Sequence, residues 1–337
     1  MKQSDDFLAR KPIYLMLLSY ILFLLLGLAC SAGAPKETRA PDSFPNTDLV
    51  FTTSWGVGFV NADGSNEVDI DFSAQVPGVI PGSEPAVIAR PVITGDNRAI
   101  IAKVSTYISY WYMTNGNLLV LWRPGEYPQF CMQWGIQDMP LLTKDQNHIL
   151  IPIEQGTALY EIDSCGTDKE PITIYETISG VFSPDLQYVA EADYINGDFN
   201  DRIITILNLK SGEERVLHPA NFPAWSRDSQ WLAYTGTDGI YVVNILKNTD
   251  PVRVVLYRNP AGDVDPTYSN VNQLPPPEVS WSPDGKWLVY HRLTVENYSN
   301  DLPSYYSIFK VNIETGEEIK IIDGGMYPYW RWPVEEP

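Results

Sequence analysis

The chain has 337 residues, of which 42 are acidic and 23 are basic, so its formal net charge at neutral pH is −19. Such an acidic chain is poorly suited to nucleic acid or to bare anionic lipid, because both ligands reward basic patches. Its length and its 44% of hydrophobic residues allow a large core, whereas only three histidines and three cysteines are available for chemistry.

Residues 1–29 predict an export signal. Basic residues at positions 2, 10 and 11 precede an apolar run over 13–28, which ends in Leu-Gly-Leu-Ala-Cys. This ending resembles the lipobox of bacterial lipoproteins, although Gly27 stands where the family usually has leucine. The resemblance implies cleavage before Cys30 and a lipid on its thiol, and an uncleaved hydrophobic anchor is the alternative. Either interpretation predicts a membrane-anchored, extracytoplasmic protein, at the cell surface or in the periplasm.

Residues 30–48 predict a flexible tether. The segment contains three prolines and almost no large apolar side chains, a composition that favours an extended chain over a packed one. The tether would let the folded domain stand away from the membrane.

A short phrase organises the sequence after the tether: an apolar residue, Ser or Thr, any residue, then Asp. It occurs five times, with its Asp at positions 96, 145, 185, 228 and 284. The mean step of about 47 residues is typical of a four-stranded propeller blade. Each phrase precedes a compact apolar strand and then further strands closed by polar turns, so the phrase is interpreted as a hairpin turn.

The two ends of the repeat region complement each other. Three strands are predicted at 49–53, 55–61 and 67–72 with no first strand before them, and a lone first strand is predicted at 327–332. Joining them closes a sixth blade and removes an open sheet edge. The sequence therefore predicts an all-β, six-bladed β-propeller over 49–333, with four antiparallel strands per blade, and a tail at 334–337.

The repeat has a recognisable form. The segment Ser282–Tyr290, with sequence SPDGKWLVY, and the turn Val60–Ser65, VNADGS, resemble the repeat of TolB-type propellers. The resemblance covers about residues 49 to 333, but the motif is only partly kept at 182–186 and 225–229 and loses its Asp at 329–333. It implies the fold and no single function, since six-bladed members include periplasmic protein-binding propellers and the non-catalytic propellers of prolyl-oligopeptidase-like peptidases.

Groups suited to catalysis are scarce. The sequence has no Gly-x-Ser-x-Gly elbow, and His148, His218 and His291 each border a strand, where packed or rim histidines are common. The many carboxylates could include a glycosidase pair about 5 to 9 Å apart, so a glycan-binding or glycan-cleaving propeller is the alternative function. The main prediction is a non-catalytic protein without a cofactor.

Two further features stay open at this level. Asp193, Asp198 and Asp201 are weak candidates for binding Ca²⁺, with a solvated polar loop as the alternative. Cys131 and Cys165 could pair in an oxidising compartment, but the predicted topology places them at opposite faces, which favours two separate thiols.

The long connections are predicted to lie together on one face. The segments 73–89, 105–116, 191–201, 259–278 and 294–304 all join a second strand to a third or one blade to the next. Tyr and Trp give large, rigid contacts at small entropic cost, so aromatic side chains there predict a surface that recognises a protein or peptide. Packing of the rings onto the blades is the alternative. The candidate residues are Tyr107, Tyr110, Trp111, Tyr112, Tyr194, Phe199, Tyr268 and Tyr298.

Overall fold

The computed structural model describes residues 39–333 except for 54–55, 73–86, 107–115, 134–140, 154–155, 165–169, 177–179, 195–201, 257–277 and 295–305. The described residues form six four-stranded sheets and a short 3₁₀ helix, Ile162–Ser164. Every strand pair is antiparallel, and the predicted six-bladed β-propeller is confirmed. In this part of the chain no helix has the length and hydropathy needed to cross a bilayer.

The strands follow the blades in chain order. The first blade holds β1 (Leu49–Thr52), β2 (Gly56–Val60) and β3 (Val68–Asp71), and the second holds β4 (Val87–Ile93), β5 (Ile100–Thr106), β6 (Gly116–Trp122) and β7 (Gln129–Gln133). The third holds β8 (Leu141–Leu142), β9 (His148–Ile153), β10 (Gly156–Glu161) and β11 (Thr173–Glu176), and the fourth holds β12 (Val181–Phe182), β13 (Tyr188–Tyr194), β14 (Arg202–Asn208) and β15 (Glu214–Leu217). The fifth holds β16 (Asn221–Trp225), β17 (Trp231–Thr235), β18 (Gly239–Asn244) and β19 (Val252–Leu256), and the sixth holds β20 (Val279–Trp281), β21 (Trp287–Leu293), β22 (Tyr306–Asn312) and β23 (Glu318–Asp323). The last strand, β24 (Met326–Trp330), returns to the first blade.

Strand direction defines two faces of the propeller. The lower face carries the turns between the first and second strands of each blade. The upper face carries the connections between the second and third strands and the connections between blades. The described ends of three long connections lie at the upper face, because Thr106 pairs with Gly116, Tyr194 with Arg202 and Leu293 with Tyr306.

The repeated Asp phrase forms the lower turns. In the sixth blade Ser282 Oγ donates to Asp284 Oδ1 over 2.6 Å, and the same carboxylate oxygen accepts the N–H of Lys286. Ser282 Oγ also accepts the N–H of Trp287, which begins the next strand. The same Ser or Thr to Asp bond of 2.6 Å recurs in the third, fourth and fifth blades. The phrase is therefore a self-bonded hairpin turn, as its turn chemistry predicts.

One position of this turn carries a different residue in each of these blades. The turn needs a residue with positive φ, which is Gly285 in the sixth blade but Asn97, Gln146, Leu186 and Ser229 in the second to fifth blades. Glycine adopts such a φ without steric cost, whereas a side chain there is strained.

Both termini complete the first blade. β24 pairs with β1 so that Leu49 lies opposite Trp330 and Val50 opposite Tyr329, and the N–H of Arg331 donates to the Asp48 carbonyl over 2.8 Å. The predicted closure is confirmed. The ring of blades thus has no missing strand at the junction.

Residues 39–48 pack on the propeller, although they belong to the flexible tether predicted over 30–48, of which 30–38 lie outside the described residues. Ala40 and Phe44 are each 4% exposed, and the Phe44 ring meets the Phe72 ring edge-on. Arg331 donates to the Asn46 side chain and to the Pro45 carbonyl. The segment is fixed on the propeller because one large apolar side chain is buried and backbone groups form hydrogen bonds. Its overall composition does not indicate these contacts.

Candidate functional site

The first strands of all six blades surround a central channel. The channel holds a cavity of about 520 Å³, within the range of small-molecule binding pockets. The cavity is lined by β4, β8, β12, β16, β20 and β24, together with Glu191 to Asp193 of β13 and Arg202 of β14. The channel is therefore the concave feature in which the described residues of every blade meet.

The deeper wall of the cavity is apolar. Its large side chains are Val92, Leu142, Phe182, Trp225, Trp281, Tyr329 and Trp332. Burial of Tyr329 raises the pKa of its phenol well above the ordinary value, so it stays neutral. A ligand that reaches this depth must present apolar surface, since the wall offers no charge to compensate for lost hydration.

Three tryptophans fasten neighbouring first strands to one another. The indole N–H of Trp225 donates to the Val181 carbonyl over 2.8 Å, that of Trp281 to the Ala224 carbonyl, and that of Trp332 to the Trp281 carbonyl, the last two over 2.9 Å. The first strand of a blade is an edge strand, so its channel-facing backbone groups have no partner in their own sheet. The indoles supply partners and join the fourth, fifth, sixth and first blades in succession.

The chain segment after β24 crosses the lower end of the channel. Gln146 Nε2 donates to the carbonyl oxygens of Trp332 and Pro333 at 2.7 and 3.3 Å, and Arg227 also donates to the Pro333 carbonyl. Gln146 Oε1 accepts the N–H of Gly95 from the neighbouring turn. Gln146 is 2% exposed, so its side chain is a buried link between two lower turns and the C-terminal segment.

Replacing Gln146 by glycine should cost about 1 to 2 kcal/mol of the free energy of unfolding. Glycine accepts the φ of 56° and relieves strain, but the buried partners of the lost amide are left unsatisfied, at about 1 to 3 kcal/mol. The matched control is Asn97→Gly, because Asn97 has a φ of 61° and its buried Oδ1 has no partner among the described residues. Urea denaturation should show Gln146→Gly to be destabilised and Asn97→Gly not. An equal change in the free energy of unfolding of the two variants would mean that the hydrogen bonds of the Gln146 amide do not contribute to stability.

The upper mouth of the cavity is charged. Arg90, Glu191, Asp193, Arg202 and Glu278 line it. Arg90 and Glu278 form an ion pair whose side chains are 18% and 14% exposed, and the pair joins the second and sixth blades. A pair this shielded from water interacts more strongly than one on the open surface. The mouth can therefore recognise polar groups, in contrast to the deeper wall.

Each arginine of the mouth lies over an aromatic ring. The guanidinium carbon of Arg90 is 5.3 Å from the centre of the Tyr327 ring, and that of Arg202 is 5.8 Å from the Phe222 ring. Burial, with a smaller effect of the Glu278 charge, raises the pKa of Tyr327 to about 12. The rings support the guanidinium groups by cation–π attraction and limit how far they can move.

His291 lies buried behind the mouth. Its ring packs edge-on against Tyr306 and Tyr327, and its Nδ1 accepts the N–H of Tyr327 over 3.2 Å. Burial, with a further effect of the Arg90 charge, lowers the pKa of His291 to about 3. The ring is therefore neutral with its proton on Nε2, an atom without a hydrogen-bond partner among the described residues. His291 holds the backbone of Tyr327 in place.

The residues predicted for recognition, calcium binding, disulfide formation and lipidation lie mostly outside the described part of the chain. This applies to Tyr107, Tyr110, Trp111, Tyr112, Phe199, Tyr268, Tyr298, Asp198, Asp201, Cys165 and the lipidation residue Cys30, and it applies to the side chains of Tyr194 and Cys131. Asp193 is described and lines the channel mouth. Among the described residues no group of three or more His, Cys, Asp or Glu side chains could hold a metal ion.

The structure adds mouth residues that sequence reasoning missed. Arg90, Phe222 and Tyr327 line the cavity, and each directly precedes a proline on a first strand. This Xaa-Pro pattern at the start of a blade is a signal that the sequence contains. None of the three histidines lines the cavity, in keeping with their interpretation as packed or rim residues.

Comparisons with known proteins find similar solved structures at low sequence identity. No known protein family and no curated protein matches the sequence. The structure is similar to that of a putative TolB from Agrobacterium tumefaciens, at 15% identity over 72% of this chain and 83% of the other, with a TM-score of 0.47. An oligogalacturonate lyase from Vibrio parahaemolyticus matches at 12% identity over 82% and 74% of the two chains, with a TM-score of 0.44. A puromycin-hydrolyzing peptidase of Mycobacterium tuberculosis matches at 15% identity over 82% and 45%, with a TM-score of 0.40.

Proposed function

We propose that this propeller is a non-catalytic binding protein that recognises a segment of a protein or peptide at the upper mouth of its channel. The observation that supports this function is the cavity itself, which has an apolar wall, a charged mouth and a chain segment across the lower end of the channel. An apolar side chain of a partner fits the wall, and the polar backbone and neighbouring side chains fit the mouth.

Electrostatics favours a partner with basic character. The chain carries a net charge of −19, and its mouth has three carboxylates against two guanidinium groups. Charge of one sign steers a partner of the opposite sign toward the site and raises the association rate. We therefore expect the bound segment to combine an apolar side chain with a nearby Lys or Arg. The predicted aromatic loops of the upper face would surround the same mouth, and anchoring through Cys30 remains a prediction.

The test is selection of random displayed peptides on the purified full-length protein, followed by blocking of the mouth. Ala192 is exposed and lines the cavity, so Ala192→Trp should fill the entrance without disturbing the core. Selected peptides should bind the wild type and lose at least about tenfold in affinity on this variant, a change of about 1.4 kcal/mol. The matched control is Ser211→Trp, which places the same ring on an exposed lower turn.

Two outcomes would contradict the proposal. Selected peptides that bind Ala192→Trp as tightly as wild type would place recognition away from the channel. Failure to select any peptide, together with capture of an oligosaccharide from a glycan array, would favour the carbohydrate alternative.

A further inference from the structure

Three first strands share an unusual backbone feature at the channel mouth. Arg90, Phe222 and Tyr327 have φ angles of 57°, 51° and 50°, in the left-handed region that residues with side chains rarely adopt. Each is followed by proline, at Pro91, Pro223 and Pro328. The proline ring restricts the preceding residue further, so the left-handed conformation is doubly unfavourable at these positions.

The same three positions interrupt the pairing of their strands. The register shifts between Ala89 and Val92 in the second blade and between Asn221 and Ala224 in the fifth. In the first blade it shifts where β24 pairs with Val50 and Thr52. A bulge inserts an extra residue and turns a side chain in a new direction, and proline is tolerated there because it has no N–H to donate to the ladder.

The side chains at the bulges are large and form the aromatic and cationic part of the mouth. Arg90 covers Tyr327 and pairs with Glu278, while Arg202 covers Phe222. A backbone that needed only a positive φ would be served by glycine, as it is at the start of the fourth blade, where Gly180 has a φ of 124° and also lines the channel. The backbone conformation of the bulges therefore does not explain why three large side chains occupy these strained positions.

We propose that the bulge residues Arg90, Phe222 and Tyr327 determine which ligands the mouth accepts, and that the strained backbone exists to hold their side chains against the ligand. This inference rests on the function proposed above and assigns its contacts to these three residues together with Arg202. The rings of Phe222 and Tyr327 contact the apolar part of the bound segment, and Arg90 and Arg202 orient its backbone carbonyls. Strain at a binding site is retained when the surrounding structure fixes it and the side chain is needed there.

Phe222 allows the cleanest test, because it is only half-buried and belongs to none of the hydrophobic core clusters of the described residues. The variants are Phe222→Ala, Phe222→Gly and Phe222→Tyr in the full-length protein. Both Ala and Gly remove the ring, but only Gly relieves the φ of 51°. Thermal unfolding should therefore show a higher midpoint for Phe222→Gly than for Phe222→Ala, the reverse of the usual order within a strand.

The binding arm uses the peptides selected on wild type in the experiment above. Both Ala and Gly variants should bind them at least about tenfold more weakly, and Phe222→Tyr, which keeps the ring, should bind within about threefold of wild type. The matched control is Ser229→Gly, which relieves a φ of 60° in a lower turn and should leave peptide binding unchanged.

The outcomes separate this inference from the proposed function. Peptides that are blocked by Ala192→Trp but bind Phe222→Gly as they bind wild type would overturn the role of Phe222 while leaving the channel as the binding site. A midpoint for Phe222→Ala equal to or above that of Phe222→Gly would overturn the strain on which the inference depends. Absence of any peptide for the wild type would overturn the proposed function, and the inference with it, whatever the order of the midpoints.

Discussion

Deletion of Tyr327–Pro337 is expected to abolish cooperative unfolding. The deletion removes most of β24, so β1 becomes an open edge and the first blade is left with three strands. It also removes Trp330 and Trp332, which are 6% and 7% exposed and belong to the main core cluster. Loss of one buried aromatic side chain typically costs about 3 to 5 kcal/mol, and a domain has about 5 to 15 kcal/mol in total. The loss should therefore exceed what the remaining blades can supply.

Differential scanning calorimetry and circular dichroism provide the measurement. The truncated protein should show no sharp transition and should bind a hydrophobic dye, because the exposed core and sheet edge favour collapse and association. The matched control deletes only 334–337, which lie outside the described residues, and should melt as wild type does. A truncated protein that melts at the wild-type temperature would show that β24 does not hold the ring closed.

The architecture could be predicted because its determinants are local and repeated. The bonds from Ser282 to Asp284 and from Trp287 to Ser282 form within six residues, and the same phrase recurs in other blades. Apolar strands between such turns have one way to pack, face to face between neighbouring sheets. Closure by both termini followed from counting strands, and the pairing of β24 with β1 confirms it.

The site could not be predicted in the same way because its parts meet only after the ring has closed. Arg90, Phe222 and Tyr327 are more than one hundred residues apart and belong to three blades. Their shared Xaa-Pro signal is short, and Xaa-Pro also occurs in ordinary turns and edge strands, so the pattern alone does not indicate a channel mouth. The Arg90 to Glu278 ion pair likewise depends on the sixth and second blades being near neighbours, which no local pattern encodes.

The neutral state of His291 depends on its full burial. The sequence predicted only that this histidine is a packed or a rim residue. Its strand position alone fits a rim residue as well as a core residue. The structure shows it fully buried between Tyr306 and Tyr327, with the Arg90 charge nearby, and this arrangement explains the low pKa. Desolvation penalises the charged imidazolium, and a neighbouring cation penalises it further.

Acid is expected to destabilise the protein through His291 at a pH where most carboxylates are still ionised. The pKa of His291 is about 3 in the folded protein and has an ordinary value of 6.5, so below pH 6.5 the unfolded chain binds a proton that the folded chain does not. The free energy of unfolding then falls with decreasing pH by about 1.4 kcal/mol for each pH unit. At pH 4.5 the loss amounts to about 2 to 3 kcal/mol, a large part of a typical domain stability.

Carboxylates with lowered pKa act in the same direction but in a lower pH window. Hydrogen bonds from Lys320 and Ser307 lower the pKa of Asp323, and those from Thr143 and Asn147 outweigh desolvation to lower that of Asp145. Their stabilising contribution is present above the ordinary pKa of 3.8 and is lost as the pH falls through the folded value. Burial raises the pKa of Asp69 and of Glu318, which acts in the opposite direction, so the difference in slope between wild type and a histidine variant, rather than the total slope, reports on His291.

His291→Asn should remove most of this pH dependence, because Asn can offer an oxygen near the position of Nδ1 to accept the Tyr327 N–H but has no group that titrates. Urea denaturation at pH 7, 6, 5 and 4.5 gives the free energy of unfolding of wild type and variant as a function of pH. Below pH 6.5 the slopes of the two plots should differ by about 1.4 kcal/mol per pH unit. His218→Asn, a change at an exposed histidine, should retain the wild-type slope. Parallel lines for His291→Asn and wild type would mean that His291 accepts a proton in the folded state, which would require the first and sixth blades to separate enough at their junction to admit water.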